Sequence, residues 1–450
     1  MPPTTQNEIH GIQDHKSKAP HNHHAHWSSH FVFLLAAIGS AVGVGNIWRF
    51  PYLAGENGGG TFIAAYLVAV AIIGAPLLLL EFIAGKAFAC SALRACEQIS
   101  KKFSLFYYVN FAMLLIVFSY YIVVTGWTLG YFLLSLFGVF IPFSQFSSTY
   151  LSLIFAVIVV LIQFFIARVD IKAGLEKVNL FLPPLLFVSL IVLLSNALSF
   201  KNLDKAFAFY TSVDTSVLLN NSDLWIVAIS QAIFSLSIGY GIMLTYGSYL
   251  RKREELFKST FAIACADTAV SLIACFVVFA FVFAFGIAPD SGPSLAFESL
   301  PLAFQQIPYG GFLMPIFFFL LFAAATTSAV SMSELTICNL EEKFRMDRKR
   351  ASLILLGLLA ILMLPSALSY SPLGLKIDGL SVLGFLDEKI VGHFSPLVVL
   401  FFVLYLGHGY KGLEKHVRAD LPKQFVAPFL FLVRYLIPLL LLGFFVRQFL

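Results

Sequence analysis

The 450 residues are 59% hydrophobic and only 12% charged, with a mean hydropathy of +0.88. That balance excludes a soluble domain and predicts a polytopic helical membrane protein. The net charge of +5 does not point to nucleic acid, because the basic residues are scattered through short loops between apolar runs.

Residues 1–27 read as a disordered cytosolic tail. Seven histidines (His10, His15, His21, His23, His24, His26 and His30) fall within the first thirty positions. The tail lacks the basic, apolar and small-residue succession of a cleaved signal peptide. A His-rich tract can bind metal weakly, but a polar tail with incidental histidines is the better reading. Cys90, Cys96, Cys265, Cys275 and Cys338 have no metal-ligand spacing and read as reduced packing residues.

Apolar runs fall at about 28–54, 60–86, 104–138, 149–167, 175–197, 224–250, 257–287, 310–340, 351–368, 379–409 and 425–447. Most reach the roughly twenty residues that cross a bilayer, giving eleven spans. Alternate loops hold Lys86, Arg94, Lys101 and Lys102; Arg168, Lys172 and Lys177; Arg251, Lys252, Arg253 and Lys258. Later ones hold Lys343, Arg345, Arg348, Lys349 and Arg350, then Lys411, Lys415, Arg418 and Lys423. The intervening loops keep little beyond Lys201, Lys205 and Lys376. By the positive-inside rule the N-terminus is cytosolic, and an odd number of spans leaves the C-terminus outside the cell's plasma (inner) membrane.

The first span contains Gly39-Ser40-Ala41-Val42-Gly43-Val44-Gly45-Asn46-Ile47-Trp48-Arg49-Phe50-Pro51. Lipid offers no hydrogen bonds, so a spanning backbone must normally be satisfied within one helix. Three glycines with β-branched residues between them predict a break here. Asn46 and Arg49 add polar groups at mid-membrane depth, where they are costly and usually functional. Close helix packing alone, the commoner meaning of membrane glycines, does not account for all of these together. In the sixth span, Ser235-Leu236-Ser237-Ile238-Gly239-Tyr240-Gly241 repeats the interruption. Five spans apart, the two segments enter from opposite sides, the pattern of an inverted-repeat transporter with a midplane site.

These residues carry a resemblance. Gly39 through Pro51, followed by Glu56-Asn57-Gly58-Gly59-Gly60, resembles the signature of the neurotransmitter:sodium symporters, and most closely their bacterial leucine and hydrophobic amino-acid transporters. Ser119-Tyr120-Tyr121, Gly126-Trp127-Thr128-Leu129-Gly130, Gln231 through Gly241, and Thr326-Thr327-Ser328 support it. It runs from about Trp27 to Arg447. The resemblance implies an all-α fold of two five-helix inverted repeats, 28–200 and 201–410, with discontinuous helices 1 and 6. Residues 411–450 then hold a peripheral eleventh helix.

By the same resemblance, the amides of Gly43, Val44 and Gly45 and the Tyr121 hydroxyl receive a substrate carboxylate. The helix dipole assists them. One Na⁺ is assigned to Ala41, Asn46, Ser235 and Asp267, the substrate carboxylate completing its shell. A second is assigned to Gly39, Val42, Ala324, Thr327 and Ser328, although for the hydroxyl pair alone back-bonding to the helix is the simpler reading. Val117, Phe234, Ser237, Tyr240, Ser328 and Met332 would line the side-chain pocket, which favours a hydrophobic or aromatic amino acid. Gly43 stands where monoamine carriers place an aspartate, so a substrate bearing its own carboxylate is favoured.

Tyr66, Gln231, Ser235 and Ser271 match the chloride ligands of chloride-dependent members, but Asp267 could supply that charge itself, so chloride-independent transport is expected. Arg49 and Asp387, with Gln231 nearby, resemble the outer gate; Trp27 and Glu342 resemble the inner gate, with His24 where an arginine is usual. Gly174 and Pro184 resemble a hinge that unwinds the start of the fifth span. The expected activity is Na⁺-coupled amino-acid symport by alternating access. A non-transporting amino-acid sensor and a proton-coupled carrier are the alternatives, and an enzyme is disfavoured because the spans hold no nucleophile–base pair. The partners expected are an amino acid, two sodium ions and the bilayer, with a homodimer as a candidate assembly and no nucleic acid.

Overall fold

A computed structural model describes residues 26–101, 104–200, 203–251, 254–287 and 295–447. The expected tail of residues 1–27 thus lies outside the described residues apart from its last two, and so does His24. The first span is two helices, α1 (His30–Ala41) and α2 (Gly45–Glu56), bent by 48°. Ser29 caps α1, its hydroxyl accepting from the Val32 amide at 3.2 Å. Only Val42 and Gly43 leave the helix, so Gly39, read from sequence as part of the break, sits inside α1. It serves close packing instead: a Cβ there would lie 2.6 Å from Asn179 Oδ1 and 2.9 Å from the Pro183 ring.

The chain continues through α3 (Gly60–Phe88), the short amphipathic α4 (Ala92–Ile99), α5 (Ser104–Leu136), α6 (Leu151–Ala167) and α7 (Leu175–Ala197). At 17 residues, α6 is the shortest spanning helix, at the lower limit for crossing the hydrocarbon core. Helix α7 runs unbroken through Pro183 and Pro184, so the expected hinge after Gly174 is helical here. Two short helices, Leu203–Thr211 and Thr215–Asn220, then turn by 119° into the sixth span.

That span is α8 (Ser222–Ser235) followed by α9 (Ile242–Ser248). The six residues between them include three in the left-handed region: Ser237 (φ +52°), Gly239 (+89°) and Gly241 (+88°). Glycine adopts this region without the Cβ clash that penalises other residues. At Gly239 there is also no room, since a Cβ would lie 2.4 Å from Val399. The remaining spans are α10 (Leu256–Ala284), α11 (Gly310–Phe344), α12 (Arg348–Ser369), α13 (Val382–Gly409) and α14 (Lys423–Arg447). With both broken pairs counted as one span each and the 17-residue α6 included, the described residues make eleven.

Helices α5 and α11, 33 and 35 residues long, pack along each other as the spine of the bundle. The broken segments are held between them and α3, α7 and α10. Helix α9 meets α3 through Gly85 and Gly247, where a Cβ on either would strike the other's backbone, a small-residue contact typical of membranes. Helix α14 packs chiefly on α13 and is peripheral. The outward faces of α6, α7, α12 and α14 carry exposed Leu, Ile and Phe, the surface lipid would cover.

Candidate substrate and cation site

The two breaks face each other across a small cavity. Its walls include Ala41, Gly43 and Gly45 from the first break, and Phe234, Ser237 and Tyr240 from the second. Val117 and Tyr121 come from α5, and Ser328 and Met332 from α11. Leu114, Asn46 and Ile242 also line it, and of these the sequence reading had not placed Leu114 or Ile242 in the pocket. Val44 faces the neighbouring cavity instead, and Ser235 lies behind the wall among the polar groups described below.

Gly43 is a close-packed point of this wall. A Cβ there would stand 2.8 Å from Ser328 Oγ and 3.1 Å from Tyr121 Oη. The Tyr121 hydroxyl accepts from the Val44 amide at 3.4 Å, so it is already turned towards the freed amides. Ser237 and Ser328 both donate to the Ser40 carbonyl, at 2.8 and 3.1 Å. Hydroxyls of the second break and of α11 thus satisfy backbone that α1 releases near its end.

Beside this cavity lies a fully buried polar cluster. The Asn46 amide nitrogen is 2.7 Å from Asp267 Oδ1, 2.8 Å from Ser235 Oγ and 2.8 Å from Ser271 Oγ. Ser235 donates to Asp267 Oδ2 at 2.7 Å, and Tyr66 donates to the same oxygen at 3.3 Å. Asp267 is 0% exposed, and among the described residues no lysine or arginine forms an ion pair with it. A buried carboxylate without a counter-charge is costly, so a cation fits this oxygen set. Hard oxygen donors and one formal charge suit an alkali ion, which Ser235 and Asp267 would hold, with Ala41 on the adjoining wall; Asn46 turns its amide nitrogen to this set while its Oδ1 accepts from the Gly43 amide at 2.9 Å, so it would join them only with its amide reversed.

The second expected ion site is arranged differently. Thr327 Oγ1 donates to Ala323 and Ala324 carbonyls at 3.2 and 3.0 Å, and Ser328 Oγ donates to Ala324 at 3.3 Å. These hydroxyls back-bond to their own helix and, through Ser328, reach Ser40 rather than Gly39 or Val42. The helices still meet there: a Cβ on Gly39 would lie 3.5 Å from Thr327 Cβ.

Above the central cavity a second one is lined by Val44, Trp48, Arg49, Tyr52, Tyr120 and Asp387 among others. Arg49 and Asp387 share this cavity without forming an ion pair. Arg49 donates to Gln231 Oε1 at 2.7 Å and lies over the Phe234 ring at 5.3 Å, while Asp387 accepts from Tyr120 at 2.8 Å. The two residues expected at the outer gate are therefore apart, with Phe234 lining both cavities. On the basic-loop side Trp27 is 3% exposed, and its indole donates to the Tyr246 carbonyl at 3.0 Å. Glu342 accepts from the Ser91 amide at 2.9 Å, at the start of α4.

The sequence reading passed over three polar groups inside spans. Glu81 of α3 accepts from the Gly239 and Leu244 amides and so holds the second break. Asn110 of α5 donates to the Gly239 carbonyl. Glu334 of α11 receives two bonds from Arg348, at 2.6 and 3.2 Å, and one from Tyr249 at 2.8 Å. Their common signal was available: an acid or amide within an apolar run is a functional candidate by default.

Two broken helices crossing in an eleven-span bundle, around a buried uncompensated carboxylate, define an inverted-repeat transporter coupled to a cation. The model of the sodium:neurotransmitter symporter family matches residues 24–152 and 143–448. An uncharacterized sodium-dependent transporter of Haemophilus influenzae is 29% identical over 447 residues, 94% of this chain and 97% of that protein. One from Methanocaldococcus jannaschii is 34% identical over 404 residues, covering 84% of this chain and 80% of that one. The crystal structure of MhsT in complex with L-phenylalanine superposes with a TM-score of 0.86 at 34% identity, covering 94% of this chain and 99% of MhsT. The chain belongs to the sodium:neurotransmitter symporter family, a family of sodium-dependent transporters and not of enzymes.

Proposed function

We propose that this protein carries a neutral hydrophobic or aromatic L-amino acid across the membrane with sodium, by alternating access. The observation that supports this most directly is the wall at Gly43. The residue has no side chain, Tyr121 Oη and Ser328 Oγ converge on it, and the break's amides adjoin an otherwise apolar cavity. A substrate that brings its own carboxylate would take over the Gly43 and Val44 amides, which here donate to Asn46 Oδ1 and Tyr121 Oη, and the same carboxylate can complete the oxygen shell beside Asn46. Coupling follows, because neither substrate nor sodium is fully satisfied without the other. MhsT, solved with L-phenylalanine, makes that amino acid the natural first probe.

Two sodium ions are transported in this reading, the second where Thr327 and Ser328 lie against α1. Chloride is not needed, because Asp267 already places a negative charge among Tyr66, Ser235 and Ser271, and Gln231 is engaged by Arg49. The two repeats are 28–200 and 201–410. The open Arg49–Asp387 pair and the buried Trp27 correspond to an outward-facing state. In the orientation that puts the basic loops in the cytosol, the N-terminus is inside, the C-terminus is outside, and the host membrane is the plasma (inner) membrane.

Uptake of labelled L-phenylalanine, leucine, methionine, tyrosine and tryptophan into proteoliposomes tests this. An inward sodium gradient should drive accumulation of at least one, equally well in chloride and in gluconate. Binding without accumulation would mean a sensor, and accumulation driven by a proton gradient without sodium would mean a proton-coupled carrier. Either result overturns the proposal.

A further inference from the structure

Helix α7 contributes no residue to either ion site above, yet it carries a buried oxygen beside one of them. Asn179 is 0% exposed. Its amide nitrogen donates to the Leu175 carbonyl at 2.9 Å, while its Oδ1 has no hydrogen-bond partner among the described residues. A buried acceptor left unpaired is costly, and native proteins usually supply it a partner. This oxygen lies 2.6 Å from where a Cβ on Gly39 would stand, and the same point is 3.5 Å from Thr327 Cβ. It therefore borders the crossing of α1 and α11, where the second sodium is proposed.

Two further oxygens at that crossing have lone pairs to spare. Helix α1 closes with the Val42 amide on the Ile38 carbonyl at 2.7 Å. The next amide, of Gly43, is drawn away to Asn46 Oδ1 at 2.9 Å, so the Gly39 carbonyl loses its helical donor. Thr327 Oγ1 donates to the Ala324 carbonyl, but a hydroxyl that donates still keeps lone pairs for a cation. One water can satisfy one orphaned acceptor. An amide oxygen, a carbonyl and a hydroxyl together are the hard donors that a small cation takes. We infer that Asn179 Oδ1 is a ligand of the second sodium ion, on its α7 side, a role that rests on the sodium-coupled reading above.

The position also says how the ion is let go. Glu176, three residues before Asn179, accepts from the Ser28 amide at 2.9 Å and so fastens the chain ahead of α1 to the first turn of α7. Pro183 has no amide to give the Asn179 carbonyl, which leaves this turn of α7 weakly held. If α1 parts from α7, the Gly39 carbonyl leaves Asn179 and the oxygen shell divides. The ion is then freed towards the basic-loop side, where α7 begins.

The test is thermal unfolding of the full chain in detergent across a sodium titration, with choline holding the ionic strength constant. Asn179→Leu keeps the bulk and removes the acceptor; it should raise the sodium concentration for half-maximal stabilisation by about tenfold. Asn179→Asp keeps the shape and adds a charge; in mildly alkaline buffer it should lower that concentration by a similar factor. A side chain that only packs, or only holds a water, would shift the melting temperature equally in sodium and in choline. Sodium curves in either variant that overlay those of the unaltered protein would overturn the ligand role and leave the sodium-coupled reading standing. An unaltered protein that sodium does not stabilise would overturn both. The aspartate variant decides the matter even if the leucine variant does not fold.

Discussion

The Asn46 amide nitrogen lies 2.7 Å from Asp267 Oδ1, which ties the break in the first span to a carboxylate on the seventh. The bond joins the two halves of the protein at the point where α2 begins. A cation entering this cluster would compete with the Asn46 amide for the same oxygens. Replacing Asp267 with asparagine should therefore weaken sodium activation of uptake by about tenfold, equivalent to roughly 1.4 kcal/mol. It should also introduce a stimulation by chloride that the unaltered protein lacks. Sodium activation curves in chloride and in gluconate check both effects, and curves that overlay those of the unaltered protein would refute them.

Gly43→Ala tests the wall of the pocket. The new methyl group would meet Ser328 Oγ at 2.8 Å and Tyr121 Oη at 3.1 Å. Overpacking of this kind costs about 1–3 kcal/mol. The Kd for the amino acid should rise by about tenfold or more, with little change in melting temperature, because both neighbours are side-chain ends that can retreat into the cavity. Tight binding in the alanine variant would show that the carboxylate does not sit there.

Gly239→Ala tests the backbone of the second break and should act on stability. Its φ of +89° and the 2.4 Å approach to Val399 combine strain with a clash. Strain alone costs on the order of 1–3 kcal/mol. Thermal unfolding in detergent should drop by several degrees. Gly357→Ala in α12, where a Cβ meets nothing within 4 Å, should leave it unchanged or slightly raised.

Cys90 reports on the basic-loop side. Burial, with the charge of Glu342 adding to it, pushes its thiol up to about 12. Thiolate is the reactive form, so at neutral pH alkylation should be slow while that side is closed. In a chain keeping only this cysteine, replacing sodium by potassium should open the side and expose the thiol. Its pKa then falls, and the rate rises by about tenfold for each unit recovered. Equal rates in the two salts would contradict the opening.

Much of this architecture was readable from residue types alone. Glycines and polar groups within apolar runs marked both breaks, because lipid tolerates them nowhere else. What periodicity could not show was where helix ends and break begins. Gly39 looks like Gly43 in the chain, yet it packs on Asn179 and Pro183 from inside α1. Glu81, Asn110 and Glu334 were hidden for a related reason. Glu81 and Asn110 each lie alone in an apolar run with the second break's backbone as partner, and Glu334 sits among hydroxyl residues with Arg348 of the next helix, so no local spacing reveals the pairing. The charges of Arg49 and Asp387 were visible, but not their partners: whether Arg49 meets Asp387 or Gln231 is a question of conformation.

The central claim is that substrate carboxylate and sodium share one site. It is tested most directly by comparing binding of L-phenylalanine and of phenethylamine, which lacks the carboxylate, across a sodium titration. The account predicts that phenylalanine affinity climbs with sodium while phenethylamine binds weakly and without sodium dependence. Equal sodium dependence for the two, or phenylalanine binding that ignores sodium, would contradict it.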